Sequence, residues 1–520
     1  MKRLFTILLL FASLTALAAD KPRLVVQIVV SAMRAGDLER YEAQFSEQGF
    51  RRLMHESSYF EEGRYRFQRT TTPVTLTTLA TGATPSMHGV VGHEWLDYTT
   101  NLPVNLIDGR RGEGGYHLIA PTLAETLRRQ QSESRTASIA LDAASAIVLG
   151  GRSGEVYWVE PNEAEWTSSL YYTNSLPEWL ARSNREGFNI SYLMPFWEQV
   201  LDQKRYTNTR HFDIRLNTGS KRSTPPTGIR RCTPRSYIER LRYTPAGNTA
   251  VLAFAKQVLA QTRMGSDEAP DLLNICLDAP RYLAEVYGPE SVEVEDMYYR
   301  LDRDLADFLT FLYAQVKPEE CVVVLTSDHG TSASYDLNAE APAERFNAHQ
   351  FRVIANGFLN VRYGSGHWVL GYRNQALYLN HTLIYERNLD LAKLQNELAI
   401  FALQFSGVSH AMAAADLRSA YFADGYAHRV QNSFYARRSG DVLLNLQPGM
   451  IEETEGLYST SGSMYGYDTR VPLFISGYGI PARKVKMPID MTSVAPTLAS
   501  LLGIHAPEAA EGRPLTNLKD

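Results

Sequence analysis

Residues Leu24–Val30 form a nearly continuous run of aliphatic and β-branched side chains, interrupted only by one glutamine. The run lacks the polar–apolar alternation of a half-exposed strand, so it predicts a strand that is buried on both faces of a parallel sheet. Four later runs have the same character: Thr136–Leu141, Asp271–Leu277, Cys321–Thr326 and Val471–Ser476. A chain with such strands has to cover both faces of its sheet with helices.

Helical patterns lie between and around these strands. The clearest is Val292–Val316, which is long, amphipathic and rich in Leu, Asp and Arg. Shorter patterns lie near Leu38–Glu56 and Thr122–Gln130, and another covers Met491–Leu502. Alternation of strands and helices predicts an α/β fold, a doubly wound and mostly parallel sheet flanked by helices.

Two stretches interrupt this alternation, at about residues 150–265 and 336–454. The first is rich in Tyr, Trp, Asn, Arg and Pro, and the second mixes short strand-like and helical segments. We interpret both as cap segments inserted into one domain that spans residues 19–520. The core of that domain is then predicted at about residues 20–149, 266–335 and 455–515.

The N-terminus predicts export. Met1-Lys2-Arg3 precedes a short apolar run, Leu4–Leu17, that closes on small residues and ends at Ala18. This pattern is typical of a signal peptide over residues 1–18, the alternative being a buried N-terminal helix. No lipid-anchoring Cys follows, and no later run predicts a membrane span, so we expect a periplasmic or secreted protein. The net charge of −5 argues against nucleic acid as a partner.

Two groups of polar residues are candidates for chemistry, which in open parallel sheets takes place beyond the carboxyl ends of the strands. Asp328 and His329 directly follow the Cys321–Thr326 run, and carboxylate and imidazole both suit zinc, although such a turn can also be structural. Thr72-Pro73 precedes a helical run, with Thr72 as the predicted N-cap. A hydroxyl at a helix N-terminus can act as a nucleophile or bind an anion.

A set of ordered motifs covers almost the whole chain. They are Thr81-Gly82-Ala83-Thr84-Pro85-Ser86-Met87-His88-Gly89, Tyr287-Gly288-Pro289 after Asp271-Leu272-Leu273, Ser327-Asp328-His329-Gly330, Gly466-Tyr467-Asp468-Thr469-Arg470 and Met491-Thr492-Ser493-Val494-Ala495-Pro496. In these motifs the chain resembles the alkaline phosphatase superfamily, in particular the PafA-type alkaline phosphatases and the related type I phosphodiesterases/nucleotide pyrophosphatases.

The resemblance implies hydrolysis of phosphate esters with two zinc ions and a Thr or Ser nucleophile that is transiently phosphorylated. Thr72 stands at the nucleophile position, and Asp328 and His329 stand at retained metal-ligand positions. The other positions differ. The family's remaining zinc ligands, Asp and His, are replaced by Ser31, Arg281, Glu285 and Ser461. The family's substrate-binding Asn, Lys and Arg are replaced by His93, Leu141 and Ala143.

These replacements predict a degenerate metal site with no zinc or at most one. A guanidinium at position 281 would repel a nearby zinc ion. We hypothesise that Arg281 substitutes for the positive charge of the metal and pairs with Glu285 or Asp328.

Three hypotheses on function follow. The first is an exported pseudoenzyme that acts by binding or scaffolding, with an unknown protein or glycan partner. The second is a hydrolase with one metal at Thr72, Asp328 and His329, a site that Glu285, His93, Glu94 or Asp278 could complete. The third, a subclass of the first, is a binding module for a phosphate- or sulfate-like anion held by Arg281 and the helix N-terminus at Thr72.

Overall fold

Strand β1, Leu24–Val30, lies at the centre of a ten-stranded sheet and is buried along its whole length. The computed structural model describes residues 21–192, 196–208, 214–215, 221–222, 227–228, 234–334, 345–452, 457–516 and 518. The predicted signal peptide, residues 1–18, lies outside the described residues. Within them, no helix is both long enough and apolar enough to cross a membrane.

The strands, in chain order, are β1 Leu24–Val30, β2 Ser58–Arg64, β3 Glu94–Leu96, β4 Pro103–Asn105, β5 Thr136–Ala140, β6 Glu155–Val159, β7 Trp166–Thr167, β8 Phe196–Trp197, β9 Ile214–Arg215, β10 Lys221–Arg222, β11 Thr227–Gly228, β12 Asp271–Leu277, β13 Cys321–Thr326, β14 Val369–Arg373, β15 Ala376–Leu379, β16 Val408–Ala413, β17 Val442–Leu446, β18 Arg470–Gly477, β19 Arg483–Val485 and β20 Ile489–Asp490.

The helices are Asp37–Tyr41, Phe50–Glu56, Thr72–Thr81, Pro85–His88, Leu123–Gln130, Ala143–Gly150, Glu178–Arg185, Phe188–Ser191, Pro234–Arg242, Ala246–Thr262, Ala279–Tyr287, Val292–Gln315, Ala348–Tyr363, His381–Glu386, Leu391–Ala402, Ala414–Ser419, Gly425–Ser433, Gly466–Thr469 and Val494–Leu502. Short 3₁₀ turns lie at Glu42–Gln44, Gln203–Arg205, Pro318–Glu320 and Met491–Ser493.

The main sheet has the order β19-β2-β18-β13-β1-β12-β5-β6-β7, with β20 also paired to β2. Its five central strands, from β13 to β6, are all mutually parallel. Strand β18 joins β13 in the antiparallel direction and so begins the mixed half of the sheet. The predicted α/β fold with a mostly parallel, helix-flanked sheet is therefore confirmed.

Side chains of β1 alternate between two cores. Leu24, Val26 and Ile28 belong to one apolar cluster, whereas Val25 and Val29 belong to another on the opposite face. Helices cover both faces, as a strand without polar alternation requires. The carboxyl ends of the parallel strands consequently meet at one sheet edge, where the candidate site lies.

The two inserted segments differ in their relation to this sheet. The segment 150–265 is not wholly peripheral, because β6 and β7 extend the main sheet within it. The described part of the second segment contains its own antiparallel sheet, β14-β15-β17-β16, with a separate apolar core. The single helical pattern predicted near Leu38–Glu56 is wrong in its continuity, since Glu42–Gln44 is a 3₁₀ turn between two short helices.

Candidate functional site

The first half of the candidate site forms where β1 and β13 end side by side. Ser31 follows β1, and its hydroxyl donates to Asp328 Oδ2 over 2.8 Å. Asp328 Oδ1 accepts from the backbone N–H groups of Ala32 and His329, at 3.0 and 2.8 Å. Ser31, Asp328 and His329 are fully buried. The neutral serine thus acts as a hydrogen-bond donor that holds the carboxylate, where a second carboxylate would repel it.

Thr72 joins this half from the start of the helix Thr72–Thr81. Its predicted role as N-cap is wrong: Thr71 is the N-cap residue, and the Thr72 side chain turns towards His329 instead. Thr72 Oγ1 lies 3.0 Å from His329 Nε2, while His329 Nδ1 lies 2.6 Å from the carbonyl oxygen of Gly330. Because a carbonyl can only accept, Nδ1 carries a proton, and in the Nδ1–H tautomer Nε2 accepts from the threonine hydroxyl.

Four polar atoms therefore converge at this point. The contacts between them are Ser31 Oγ to Asp328 Oδ2, Thr72 Oγ1 to His329 Nε2, and His329 Nε2 to Asp328 Oδ2 at 3.3 Å. Separations near 3 Å suit the ligands of one small metal ion. The group offers only one carboxylate and one imidazole, so its charge is low for a divalent cation.

The second half of the site forms where β5 and β12 end, and it centres on Arg281. The guanidinium donates from Nη2 to Asp142 Oδ2 over 3.0 Å, and Nη1 lies 3.5 Å from Glu285 Oε1. The predicted ion pair with Glu285 is thus present, but at a long distance. The predicted pairing with Asp328 is wrong, because Asp142 occupies the guanidinium and Ser31 holds Asp328.

Asp142 also pairs with a second arginine and accepts a hydrogen bond from a tyrosine hydroxyl. Arg242 Nη2 lies 2.9 Å from Asp142 Oδ1, and the Tyr282 hydroxyl donates to Oδ2 over 2.7 Å. The Arg281 guanidinium lies 4.1 Å from the centre of the Tyr282 ring. Leu141 and Ala143 flank Asp142 and carry no charge, so the cations at this edge come from two helices, Pro234–Arg242 and Ala279–Tyr287.

Asp278 is fully engaged in holding the turn between β5 and the helix Ala143–Gly150. Its Oδ2 accepts from the backbone N–H groups of Leu141 and Asp142, at 3.0 and 3.1 Å, and its Oδ1 accepts from Ser145 Oγ at 2.6 Å. Burial, reinforced by the charge of Asp142, raises the pKa of Asp278 to about 7. Asp278 is therefore a structural residue here and not a spare metal ligand.

The other residues considered as additional ligands are also engaged elsewhere. Glu94 pairs with Arg373 of the inserted sheet, over 2.8 Å. His93 is exposed, yet desolvation and then the positive charge of Arg281 lower its pKa to about 4, so its ring is neutral at pH 7. Glu285 faces Arg281. None of the three joins Asp328 and His329 in a cluster of His, Cys, Asp or Glu side chains within the described part of the chain.

Ser461 and Gly462 lie against the segment that leads into Thr72. A β-carbon at Gly462 would come within 2.9 Å of Thr71 Cγ2 and 3.3 Å of Arg69 Nη2. The neighbouring hydroxyl of Ser459 donates to the carbonyl of Ala284 over 2.7 Å. The loop that carries Ser461 therefore spans the two halves of the site, from Thr71 to the helix Ala279–Tyr287.

Arg69 is a residue that the sequence interpretation missed. Burial lowers the pKa of its guanidinium, against the opposing charge of Glu452, and Nε and Nη1 have no hydrogen-bond partner among the described residues. Its position three residues before Thr72, in a run of threonines, was the available signal. Asp142 and Arg242 gave no such signal, because they are 100 positions apart in the sequence and only the tertiary structure brings them into contact.

The pair of zinc ions that the resemblance implies does not fit these residues. The second half holds the largely buried guanidinium of Arg281, bonded to Asp142, at a position predicted to be a zinc ligand. The first half retains donors for one ion at most. The geometry therefore supports either a metal-poor binding site or a site for a single metal, and no two-metal step is derived from it.

Fold and site together define a member of the alkaline phosphatase superfamily. A sequence profile for type I phosphodiesterase / nucleotide pyrophosphatase matches residues 25–468, and the chain belongs to that family. It is 27% identical to alkaline phosphatase PafA of Elizabethkingia meningoseptica over 521 residues, covering 96% of this chain and 95% of that protein. It is 26% identical to alkaline phosphatase PhoV of Synechococcus elongatus, over 96% and 93% of the two chains.

A solved structure shares the whole architecture. The crystal structure of wild-type alkaline phosphatase PafA superimposes with a TM-score of 0.90 at 25% identity, covering 96% of this chain and 99% of that chain. The match confirms the PafA-type fold predicted from the motifs.

Proposed function

We propose that this protein is an exported, PafA-like pseudoenzyme that has lost two-zinc phosphate-ester hydrolysis and acts by binding. The observation that carries the proposal is the ion pair between Arg281 and Asp142. A largely buried guanidinium at a predicted zinc-ligand position supplies a permanent positive charge, and it is paired with the carboxylate of Asp142, which also accepts a hydrogen bond from the Tyr282 hydroxyl. Export rests on the signal-peptide pattern of residues 1–18.

The ligand that this site suits is a phosphate- or sulfate-like anion, alone or on a protein or glycan. Support comes from the positive end of the helix dipole at Thr72, and from Arg69, whose buried Nε and Nη1 have no hydrogen-bond partner among the described residues. Arg281 contributes less to anion binding than the sequence predicted, because its guanidinium is already paired with the carboxylates of Asp142 and Glu285.

A second candidate function is hydrolysis with one metal ion. It is favoured by the convergence of Ser31, Thr72, Asp328 and His329 described above, in which the threonine hydroxyl already donates to an imidazole nitrogen. Asp328 and His329 would hold the ion, which would polarise the Thr72 hydroxyl or a phosphoryl oxygen.

Metal content and hydrolysis separate these functions. The mature protein is exposed to excess zinc, desalted and analysed for bound metal, and p-nitrophenyl phosphate hydrolysis is measured before and after a Thr72→Val change. We expect no retained zinc and no hydrolysis that depends on Thr72. One retained zinc together with Thr72-dependent hydrolysis would establish the single-metal enzyme, and two retained zinc ions would overturn both proposals.

A matched positive control comes from restoring the family's ligands. The variant Ser31→Asp, Arg281→Asp, Glu285→His and Ser461→His recreates the ligand types that the resemblance implies, on an unchanged sheet. We expect it to retain more zinc than the wild-type chain.

A further inference from the structure

A second concave site lies away from the residues discussed so far, between β2, β20 and the helix Gly425–Ser433. We name it the arginine pocket and define it by Arg64, Arg66 and Arg429, with Tyr65, Asp424 and His428 among its other lining residues. Its volume is about 460 Å³. That size is within the range of small-molecule sites, roughly 300–1,000 Å³.

The charge of this pocket is positive and incompletely compensated. Three arginines face one lining carboxylate, that of Asp424. Arg64 pairs with Glu62 over 2.6 Å, and Arg66 lies 3.4 Å from Asp490, both partners being outside the lining. The ring nitrogens of His428 are engaged within the protein, since Nδ1 lies 2.7 Å from the carbonyl oxygen of Phe422 and Nε2 lies 3.1 Å from Asn432 Nδ2.

Arg429 is the least compensated of the three. Its Nη1 donates to the carbonyl of Met464 over 2.8 Å, and no carboxylate of the described chain lies within 4 Å of its guanidinium. Partial burial lowers its pKa, and the positive charges of Arg64 and Arg66 lower it further. A half-buried cation beside two other cations is stabilised when an anion binds next to it.

Two large, exposed side chains lie close in sequence to residues that line the pocket. Tyr421 is 84% exposed and lies two residues before the lining residue Ala423, and Met487 is 71% exposed and directly precedes the lining residue Pro488. Large exposed apolar groups beside a cationic cavity suit a ligand with an uncharged body as well as an anionic group.

We propose that the arginine pocket is a second ligand site, which binds the tetrahedral oxyanion of a small phosphate or sulfate ester. The guanidinium of Arg429 contacts the oxyanion, Arg64 and Arg66 add charge, and the rim near Tyr421 and Met487 contacts the body of the ester. The site is separate from the ion pair of Arg281 and from Thr72, none of which lines it.

The test is calorimetric titration of the mature protein at low salt. The probes are glucose 6-phosphate, glucose 6-sulfate, inorganic phosphate, inorganic sulfate and uncharged glucose. We expect both esters to bind, several-fold more tightly than the free ions, and glucose not to bind. Arg429→Gln should weaken the binding of the esters about ten-fold through loss of a charge-assisted contact. Arg66→Gln, at an exposed position, should weaken it less without affecting folding.

The control variant is Arg437→Gln, which removes an exposed arginine that does not line the pocket. Unchanged ester affinity in both Arg429→Gln and Arg66→Gln would place the anion elsewhere, for instance at Thr72, and overturn the proposal. So would equal losses in Arg437→Gln, or absence of any binding by the wild-type chain. Free ions that bind as tightly as the esters would overturn the role given to the rim.

Discussion

Thr72 donates its hydroxyl proton to His329 Nε2 over 3.0 Å, on a ring whose other nitrogen is fixed by the carbonyl of Gly330. The hydroxyl of Thr72, the predicted nucleophile, is therefore hydrogen-bonded to a protein side chain. This contact ties the start of the helix Thr72–Thr81 to the loop after β13.

Removing this hydroxyl should cost stability. In Thr72→Val, the buried Nε2 of His329 loses its donor, and we expect a loss of about 1–2 kcal/mol in the free energy of unfolding. Thr77→Val is the matched control, because Thr77 is buried in the same helix and bonds only to the carbonyl of Pro73. Urea denaturation of both variants checks this. An equal or smaller loss in Thr72→Val would show that the contact with His329 contributes nothing.

We expect the residue at position 31 to determine whether the first half of the site binds zinc. Ser31→Asp would place a second carboxylate beside Asp328 Oδ2, and two like charges at that distance should lower the melting temperature in EDTA. Zinc should then raise the melting temperature again, because zinc at 100 times its dissociation constant adds about 2.7 kcal/mol to the free energy of unfolding. Ser31→Asn provides the uncharged control and should show no zinc effect. A wild-type chain that responds to zinc as strongly as Ser31→Asp would contradict this account.

Arg281 should stabilise the fold itself. Arg281→Ala leaves the buried Asp142 with only Arg242 and Tyr282, so we expect a loss of about 2–3 kcal/mol in unfolding free energy. The exposed pair of Arg362 and Glu397 gives the comparison, since the loss of a solvent-screened ion pair in Arg362→Ala should cost far less than the loss of Arg281. Thermal and urea denaturation measure both. A melting temperature unchanged by Arg281→Ala would refute the idea that this residue replaces the charge of a metal.

Glu293 should make stability fall as the pH rises. Its side chain is fully buried, its two carboxylate oxygens have no hydrogen-bond partner among the described residues, and burial raises its pKa to about 8. The folded state therefore holds this proton more tightly than the unfolded state. The resulting stability is fully present below the unfolded pKa of about 4.5 and is lost as the pH rises through about 8.

Glu293→Gln removes this ionisation. We expect the variant to gain stability over the wild-type chain as the pH rises from about 5 to about 9, by roughly 2–4 kcal/mol. Asp296→Asn is not a suitable control, because Asp296 accepts from Trp197 and Arg300. The exposed Glu47→Gln serves better, as it should leave the slope of unfolding free energy against pH unchanged. Parallel slopes for Glu293→Gln and the wild-type chain would disprove the prediction.

Much of the fold could be predicted from the sequence, because the spacing of apolar residues within a short segment already indicates whether it forms a buried strand or an amphipathic helix. The run Leu24–Val30 is strand β1 in full, and the pattern at Val292–Val316 is the helix Val292–Gln315. The N-cap Thr122 forms the predicted helix start, with Glu125 completing a capping box. Thr72 failed as an N-cap because its hydroxyl has a better acceptor in His329, a residue 257 positions away.

For the candidate site, the sequence predicted which residues take part but not which of them pair with each other. Motif order identified Arg281 as a cation at a ligand position, but its partner could not be read from the chain. Glu285 is close in sequence, whereas Asp142 becomes its neighbour because β5 and β12 pair in the sheet. Ligand types at retained and replaced positions, the signal peptide and the extent of the caps stay predictions.

The order of strands in the sheet has a consequence for how such proteins diverge. Ser31 and Asp328 follow the neighbours β1 and β13, whereas Asp142 and Arg281 follow the neighbours β5 and β12. Each half of the site thus rests on its own pair of strands, and each has closed its own hydrogen bonds. Substitutions in one half can therefore leave the hydrogen bonds of the other half in place, so that the two halves are free to change independently during evolution on an intact sheet.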